Sequence, residues 1–421
     1  MTTSKRATRF QATRPDIPAV PLSIPFVEFV TLTAALMALT AMSIDIMLPA
    51  LPQIASTFGI EKENDRQLVV ILYMAGFAVG QLFFGPLSDH FGRKPVLMAG
   101  LAIFILGSIG AVVAGSFETL LLARIVQGVG AASPRIIAVA VVRDIYSGRQ
   151  MARVMSFAMM VFIMIPVFAP SIGQAMVLLS NWHWIFVFLL VMAVIAAIWA
   201  GARLPETARP ALGVERPMNL LEALKAAVMN AQTLGYGAAG GFMFGCLLAY
   251  VASAQQVFVD LFGMGETFPV VFGALASAIA LASFANARLV GRLGMRRVSH
   301  TALVAFIGVS ILMAAAAALG MADFWVFAIC VGVTFFLFGL IAPNFNALAM
   351  QPQGHNAGMA SSVIGSLGTA IAAIAGGIVA GAFDGSVWPI AAGFAVCSVI
   401  AGVIVLAIEG PKGLLGRNQP A

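Results

Sequence analysis

Gly85-Pro-Leu-Ser-Asp-His-Phe-Gly-Arg-Lys94 is a polar turn between two long apolar runs, and Arg288-Leu-Val-Gly-Arg-Leu-Gly-Met-Arg-Arg297 is a second turn of the same kind later in the chain. Superposing Gly92 on Gly294 brings Leu87 onto Leu289, Phe91 onto Leu293 and Lys94 onto Arg296. Gly92 permits a tight return, Pro95 suits the first turn of a following helix, and Asp89 can pair with the neighbouring cations or cap helix N–H groups. The residues alone leave two readings open. One is a salt-bridged latch that holds helix ends in one conformation and frees them in another; the other is a pair of cations that only follow the charge bias of membrane loops.

The runs on either side decide the solvent. Of 421 residues, 61% are hydrophobic and 10% charged, whereas an ordinary soluble chain is about a quarter charged. With a mean hydropathy of +1.00, the chain lacks the polar surface that would keep it dispersed in water. A helix needs about 20 residues to cross the hydrocarbon. By that measure the sequence predicts spans near 27–49, 68–87, 95–114, 118–141, 154–177 and 182–202, then 233–257, 268–287, 299–320, 323–349, 357–380 and 387–408. A Pro-rich polar interval separates six spans from six. The expected fold is therefore an all-α polytopic membrane protein of twelve transmembrane helices: an N-terminal six-helix bundle (1–210), a cytoplasmic linker (211–230) and a C-terminal six-helix bundle (231–421). Leu220 to Met229 is amphipathic and suits the membrane surface or the polar start of the next span.

Lys and Arg set the orientation. Lys5, Arg6, Arg9, Arg14, Arg93, Lys94, Arg143, Arg149, Arg153, Arg203, Arg288, Arg292, Arg296, Arg297, Lys412 and Arg417 fall on one side, and only Lys62 and Arg66 on the other. Even-numbered spans return to the basic face, which places both termini in the cytoplasm. The net charge of +6 is dispersed in short groups between apolar runs, not gathered in a stripe that would bind nucleic acid. Cys246, Cys330 and Cys397 stand singly in apolar stretches and read as small core residues, with no metal-ligand spacing. The first apolar run is too long for a cleaved signal and is expected to remain as span 1.

Further motifs accompany the Gly85–Lys94 turn: Ser43-Ile-Asp-Ile-Met-Leu-Pro-Ala-Leu-Pro52, Arg124-Ile-Val-Gln-Gly-Val-Gly-Ala-Ala132, Arg143-Asp-Ile-Tyr-Ser-Gly148 and Ala169-Pro-Ser-Ile-Gly-Gln174. Together they resemble the major facilitator superfamily, and within it the twelve-span drug:proton antiporters of the bicyclomycin and chloramphenicol resistance type. His90 replaces the arginine usual in the turn, and Ala169 and Gln174 stand where the span 5 signature more often has glycine. The resemblance implies alternating access between two bundles in a bacterial cytoplasmic (inner) membrane. It also associates Arg124 with the central cavity and with proton coupling.

Asp45 lies well inside span 1, where a lone carboxylate in hydrocarbon costs several kcal/mol and must face protein or water. Low dielectric favours the neutral acid and a nearby cation favours the carboxylate, a competition suited to a proton switch. Arg124 enters span 4 at a comparable depth from the same face. The pair reads either as a proton-coupling unit or as a static bridge between spans 1 and 4. Candidates for the substrate cavity are Arg135, Gln174, Tyr250, Gln256, Phe336 and Asn344, each of which also fits ordinary helix positioning or core. The conformational gate comprises Gly85, Asp89, Gly92, Arg93, Lys94 and Arg143; Arg143 and the adjacent Asp144 either join Asp89 in that network or are simply solvated in the loop. Pro166, Pro170 and Gly173 mark span 5 as a segment that flexes or packs closely. Glu28 reads as a boundary residue of span 1.

There is no Gly-x-x-x-x-Gly-Lys-Ser/Thr loop, His-Glu-x-x-His site or Gly-x-Ser-x-Gly elbow in the sequence. The chain therefore reads as a secondary active transporter and not an enzyme, with neither cofactor nor metal, driven by an ion gradient. The expected function is proton-coupled export of small, partly hydrophobic drugs or toxic compounds. The expected partners are that substrate, protons and the lipid bilayer, with the protein working as a monomer. A transporter of narrow specificity for amino acids or dipeptides and a non-transporting membrane receptor are the competing readings.

Overall fold

The computed structural model describes residues 24–146, 148–207, 220–353 and 357–414, with a few side chains inside those limits left aside. The basic N-terminal arm, linker residues 208–219 and the final seven residues, with the cations expected there, lie outside the described residues.

The chain is helical throughout: α1 (Phe26–Asp45), α2 (Leu51–Phe58), α3 (Leu68–Phe91), α4 (Arg93–Val112), α5 (Phe117–Ile145), α6 (Gly148–Leu179), α7 (His183–Arg203), α8 (Leu220–Met229), α9 (Ala231–Gln255), α10 (Phe268–Leu293), α11 (Met295–Ala318), α12 (Phe324–Met350), α13 (Ala357–Gly381) and α14 (Trp388–Leu414). Among the described residues, eleven helical stretches are long and apolar enough to cross a bilayer. The span expected at 154–177 falls on α6, whose described apolar stretch is Met164–Leu179. The protein is thus an all-α, multi-pass membrane protein. Apolar side chains surround most of these helices, and each helix satisfies its own backbone polar groups, as the hydrocarbon requires.

The helix ends follow from local chemistry. Ser116 and Thr119 form a reciprocal capping box at the start of α5, and the carboxamide of Asn230 and the carboxylate of Asp323 accept the N–H groups of Thr233 at 2.9 Å and Val326 at 2.8 Å. Span 1 stops earlier than its hydropathy implies. Pro49 and Pro52 supply no N–H donor, so α1 ends at Asp45 and the chain passes through a 3-10 turn, Leu48–Ala50, into the short α2. The two matched turns also match in backbone. Gly92 (φ 101°, ψ 154°) and Gly294 (φ 80°, ψ 156°) each close one helix and open the next, in a conformation open essentially to glycine alone.

Helix neighbours recur in the same scheme. α1 packs on α5, α6 and α7, while α9 packs on α12, α13 and α14. α4 joins α5 and α7 as α11 joins α12 and α14, and α3 lies on α5 as α10 lies on α12. Two seams run between the earlier and later helices, α3 on α13 and α6 on α10. Along the first, Gln81 Nε2 donates to Thr369 Oγ1 at 2.8 Å and Ser366 Oγ donates to the Ala78 carbonyl at 2.8 Å.

Candidate functional site

Asp45 is the last residue of α1 and is buried, 5% exposed. The turn that follows it packs against α9 and α6. Gly173 of α6 lies directly on the Ile46 carbonyl, where a Cβ would collide. Close approach is therefore what this glycine provides, and α6 continues as helix through Pro166 and Pro170. Asp45 lies within electrostatic reach of two buried phenols, Tyr73 on α3 and Tyr250 on α9. Tyr250 is braced by Phe335 (4.8 Å between ring centroids) and Phe272 (5.5 Å). Its hydroxyl, and that of Ser253 one turn further along α9, have no hydrogen-bond partner among the described residues. Two uncompensated buried hydroxyls, one of them within electrostatic reach of a buried carboxyl, form a polar spot in an apolar interior.

Arg124 is fully buried, but its donors go elsewhere. Nε donates to the Val69 carbonyl at 2.9 Å, Nη2 to the Ser43 carbonyl at 3.0 Å, and Nη1 to Gln127 Oε1 at 2.5 Å. Gln127 Nε2 in turn donates to Ser108 Oγ at 2.8 Å. The guanidinium sits 4.4 Å from the Tyr73 ring centroid and 5.8 Å from that of Phe186. Arg124 thus joins α1, α3, α4, α5 and α7. Among the described residues it forms no ion pair with Asp45; it holds the backbone two residues before that carboxylate.

Of the remaining cavity candidates, Arg135 shares the neighbourhood of Tyr73 and the others are dispersed. Arg135 is half-buried, with its guanidinium 5.7 Å from the Phe77 ring centroid. Gln174 and Phe336 are half-buried on α6 and α12. Asn344 is tied to Asn286 Oδ1 and to the Leu340 carbonyl, each at 2.7 Å, and so pins α12 to α10.

Gln256 belongs to a different cluster, on the face opposite the basic turns. Arg66, in the turn before α3, forms an ion pair with Asp260, beyond the end of α9. Gln67 donates to Gln256, whose own amide donates to Asn64 Oδ1 at 2.8 Å. Asn64 Nδ2 donates to the carbonyls of Gly381 at 2.9 Å and Phe383 at 2.8 Å, just past α13. This clamp ties the start of α3 to the ends of α9 and α13. Sequence reasoning missed it: Arg66 stood out only as one of two cations on its face, and its partner lies 194 positions away.

At the basic face, Arg93 Nη1 donates to Asp89 Oδ1 at 2.5 Å and Ser88 Oγ at 2.7 Å, while its Nε donates to Asp144 Oδ2 at 2.8 Å. Glu206, three residues past α7, accepts the backbone N–H groups of Arg93 (2.8 Å) and Lys94 (3.0 Å) and so caps α4. Gly85 abuts Ser362 on α13, and a Cβ at Gly358 would meet Asp89 at 3.1 Å. The α5 member of this cluster is Asp144. Arg143 is exposed and outside it, because successive helical residues point about 100° apart. The second turn has its own lock: Arg296 Nε donates to Glu409 Oε1 at 2.8 Å, and the Tyr236 hydroxyl donates to the same oxygen at 2.8 Å. Glu28 is half-buried at the start of α1. It takes both Nε and Nη2 of Arg203 at 2.7 Å and the Trp199 indole N–H at 3.2 Å.

Comparison with known proteins agrees with this architecture. The family model described as Major Facilitator Superfamily matches residues 33–376. A bicyclomycin resistance protein homolog of Haemophilus influenzae is 32% identical over 84% of this chain and 88% of that protein. A chloramphenicol resistance protein of Pseudomonas aeruginosa is 28% identical over 79% and 81%, and multidrug resistance protein D of Escherichia coli 27% over 81% and 85%. In fold, the human organic anion transporter MFSD10 superposes with a TM-score of 0.66 at 17% identity, covering 93% of this chain and all of that one. A match over most of the chain, in a membrane-spanning helical fold, shows that this chain belongs to the Major Facilitator Superfamily and is a secondary transporter, not an enzyme.

Proposed function

We propose that the chain is a twelve-span, proton-coupled antiporter that exports small, partly apolar compounds by alternating access of two six-helix bundles, residues 1–210 and 231–421. On this reading it sits in a bacterial cytoplasmic membrane with its basic face and both termini inside, and it works as a monomer. The relatives named for bicyclomycin, chloramphenicol and multidrug resistance support the substrate class. The recurring helix neighbours support the two-bundle division.

The observation that carries the reading is the position of Asp45. It is a buried carboxyl at the broken end of α1, within electrostatic reach of Tyr250 on α9, whose hydroxyl, like that of Ser253 one turn on, has no hydrogen-bond partner among the described residues. Between them the two bundles enclose a group that can bind or release one proton and hydroxyls that can bind a polar part of a substrate. Substrate arriving from the cytoplasm displaces the proton, the bundles rock, and reprotonation from outside favours the return.

The test compares wild type with Asp45→Asn in everted vesicles, using chloramphenicol and other chemically distinct antibiotics as probes. Wild-type uptake is expected to collapse when the proton gradient is dissipated. The variant is expected to bind the probes while losing gradient-driven accumulation. Undiminished gradient-driven uptake in a folded Asp45→Asn protein would remove Asp45 from the mechanism.

A further inference from the structure

The arginines of the basic face divide into two sets. Arg93, Arg203 and Arg296 each hold a carboxylate on another helix. Arg288, Arg292 and Arg297 are exposed and form no ion pair among the described residues. Arg292 lies in the last turn of α10, Arg288 one turn before it, and Arg297 in the first turn of α11, on either side of the Gly294 turn.

A groove of about 360 Å³ lies beside this turn between α10, α11 and α12, and Arg288 and Arg292 each precede one of its lining leucines on α10, Leu289 and Leu293. Leu289, Leu293, Thr301, Ala305 and Leu340 help line it, and Arg297 is part of its wall. Leu293, Thr301 and Ala305 are exposed, so the groove opens sideways from the protein, toward hydrocarbon. A hydrocarbon-facing groove left empty forfeits dispersion contacts, so a lipid tail is its natural filling. A headgroup on that tail then meets Arg297 at the wall, with Arg292 and Arg288 within two turns of it on side chains long enough to reach the interface, none of the three ion-paired among the described residues.

We propose that this groove is a binding site for one anionic phospholipid. The acyl chain lies between α10 and α11, and the phosphate and net negative charge are held by Arg292 and Arg297 with Arg288 behind them. The site does not depend on the transport reading above, only on the protein's place in a membrane. Charge selects the lipid: a zwitterionic headgroup offers a phosphate but no net charge to offset the arginines.

The experiment is native mass spectrometry of the purified full-length protein with equimolar phosphatidylglycerol and phosphatidylcholine. Wild type is expected to retain phosphatidylglycerol preferentially, by roughly fivefold for each cation engaged. Arg292→Gln/Arg297→Gln is expected to bring the two lipids to parity, while Arg143→Gln, an exposed arginine away from the groove, keeps the preference. Ala305→Trp fills the groove with every charge in place and is expected to lose bound lipid, which decides the matter if the double variant does not fold. Inorganic phosphate at millimolar concentration is expected to leave the lipid bound. Parity in wild type, equal retention in all variants, or displacement by phosphate alone would each overturn the proposal.

Discussion

The Arg124 guanidinium donates to the Ser43 carbonyl at 3.0 Å, two residues before Asp45. The cation thus fixes the main chain that carries the acid and, among the described residues, forms no ion pair with its carboxylate. It does so with a planar fork whose three nitrogens reach three acceptors at once, which a lysine ammonium on a flexible stem cannot reproduce. Arg124→Lys is expected to lose two charge-assisted hydrogen bonds, about 3–6 kcal/mol. That loss should appear as a lower melting temperature in detergent together with loss of transport. A variant as stable and active as wild type would show the fork to be dispensable.

The clamp opposite the basic face makes a separate expectation. Arg66 and Asp260 join the start of α3 to the end of α9, so breaking the pair should favour the form that opens on that face. Arg66→Asp and Asp260→Arg are each expected to speed thiol labelling of a cysteine placed at Ser253. The double swap should restore slow labelling, with a coupling energy of about 1–3 kcal/mol. Additive effects of the two substitutions would mean that the residues act independently.

Gly92 and Glu206 give a stability prediction. A side chain at position 92 would have to adopt φ near 101° and would also meet the Glu206 carboxylate that caps α4. Gly92→Ala is expected to cost about 1–3 kcal/mol for the backbone alone. Gly294→Ala should cost a similar amount, because its backbone repeats the conformation. Thermal unfolding of the two variants side by side measures this, and a shift at one glycine only would break the equivalence of the turns.

The helices and these turns were legible in the sequence because long apolar runs and glycine-plus-cation punctuation are local signals. The motif Gly85–Lys94 identified Asp89, Gly92 and Arg93 correctly as neighbours, since they lie within one turn of chain. What could not be read was which distant residues complete each cluster. Glu206 lies past the end of α7 and Asp260 in the π-helical turn that continues α9, and nothing in their surroundings marks them as partners of a turn more than a hundred positions away. The acceptors of Arg124 are partly backbone carbonyls, which have no letter in the sequence, so the same depth argument that placed it beside Asp45 left its contacts undetermined. Arg143 and Asp144 both read as able to join Asp89, and the direction of each side chain on α5 separates them.

Asp144 therefore provides a direct contrast. It accepts from Arg93 Nε at 2.8 Å and from Thr207 Oγ1 at 3.2 Å, whereas Arg143 is exposed. Asp144→Asn weakens the hold of α5 on α4 and is expected to lower transport severalfold, while Arg143→Gln stays within about 0.5 kcal/mol of wild-type stability and transports normally. Transport and melting of the two adjacent variants test this, and equal losses would place both residues in the gate.

The hydroxyls on α9 allow function to be separated from stability. A buried hydroxyl without a partner contributes nothing to the fold and carries a desolvation cost. Removing it, in Tyr250→Phe or Ser253→Ala, should leave the melting temperature unchanged or raise it slightly. The ring of Tyr250 keeps its contacts with Phe335 and Phe272 in the phenylalanine variant. If these hydroxyls bind the polar part of a transported compound, the half-saturating concentration rises severalfold in both variants while maximal rate and stability hold. If instead Tyr250→Phe melts several degrees lower with transport kinetics unchanged, the hydroxyl has a structural partner and the polar spot facing Asp45 is not where the substrate sits.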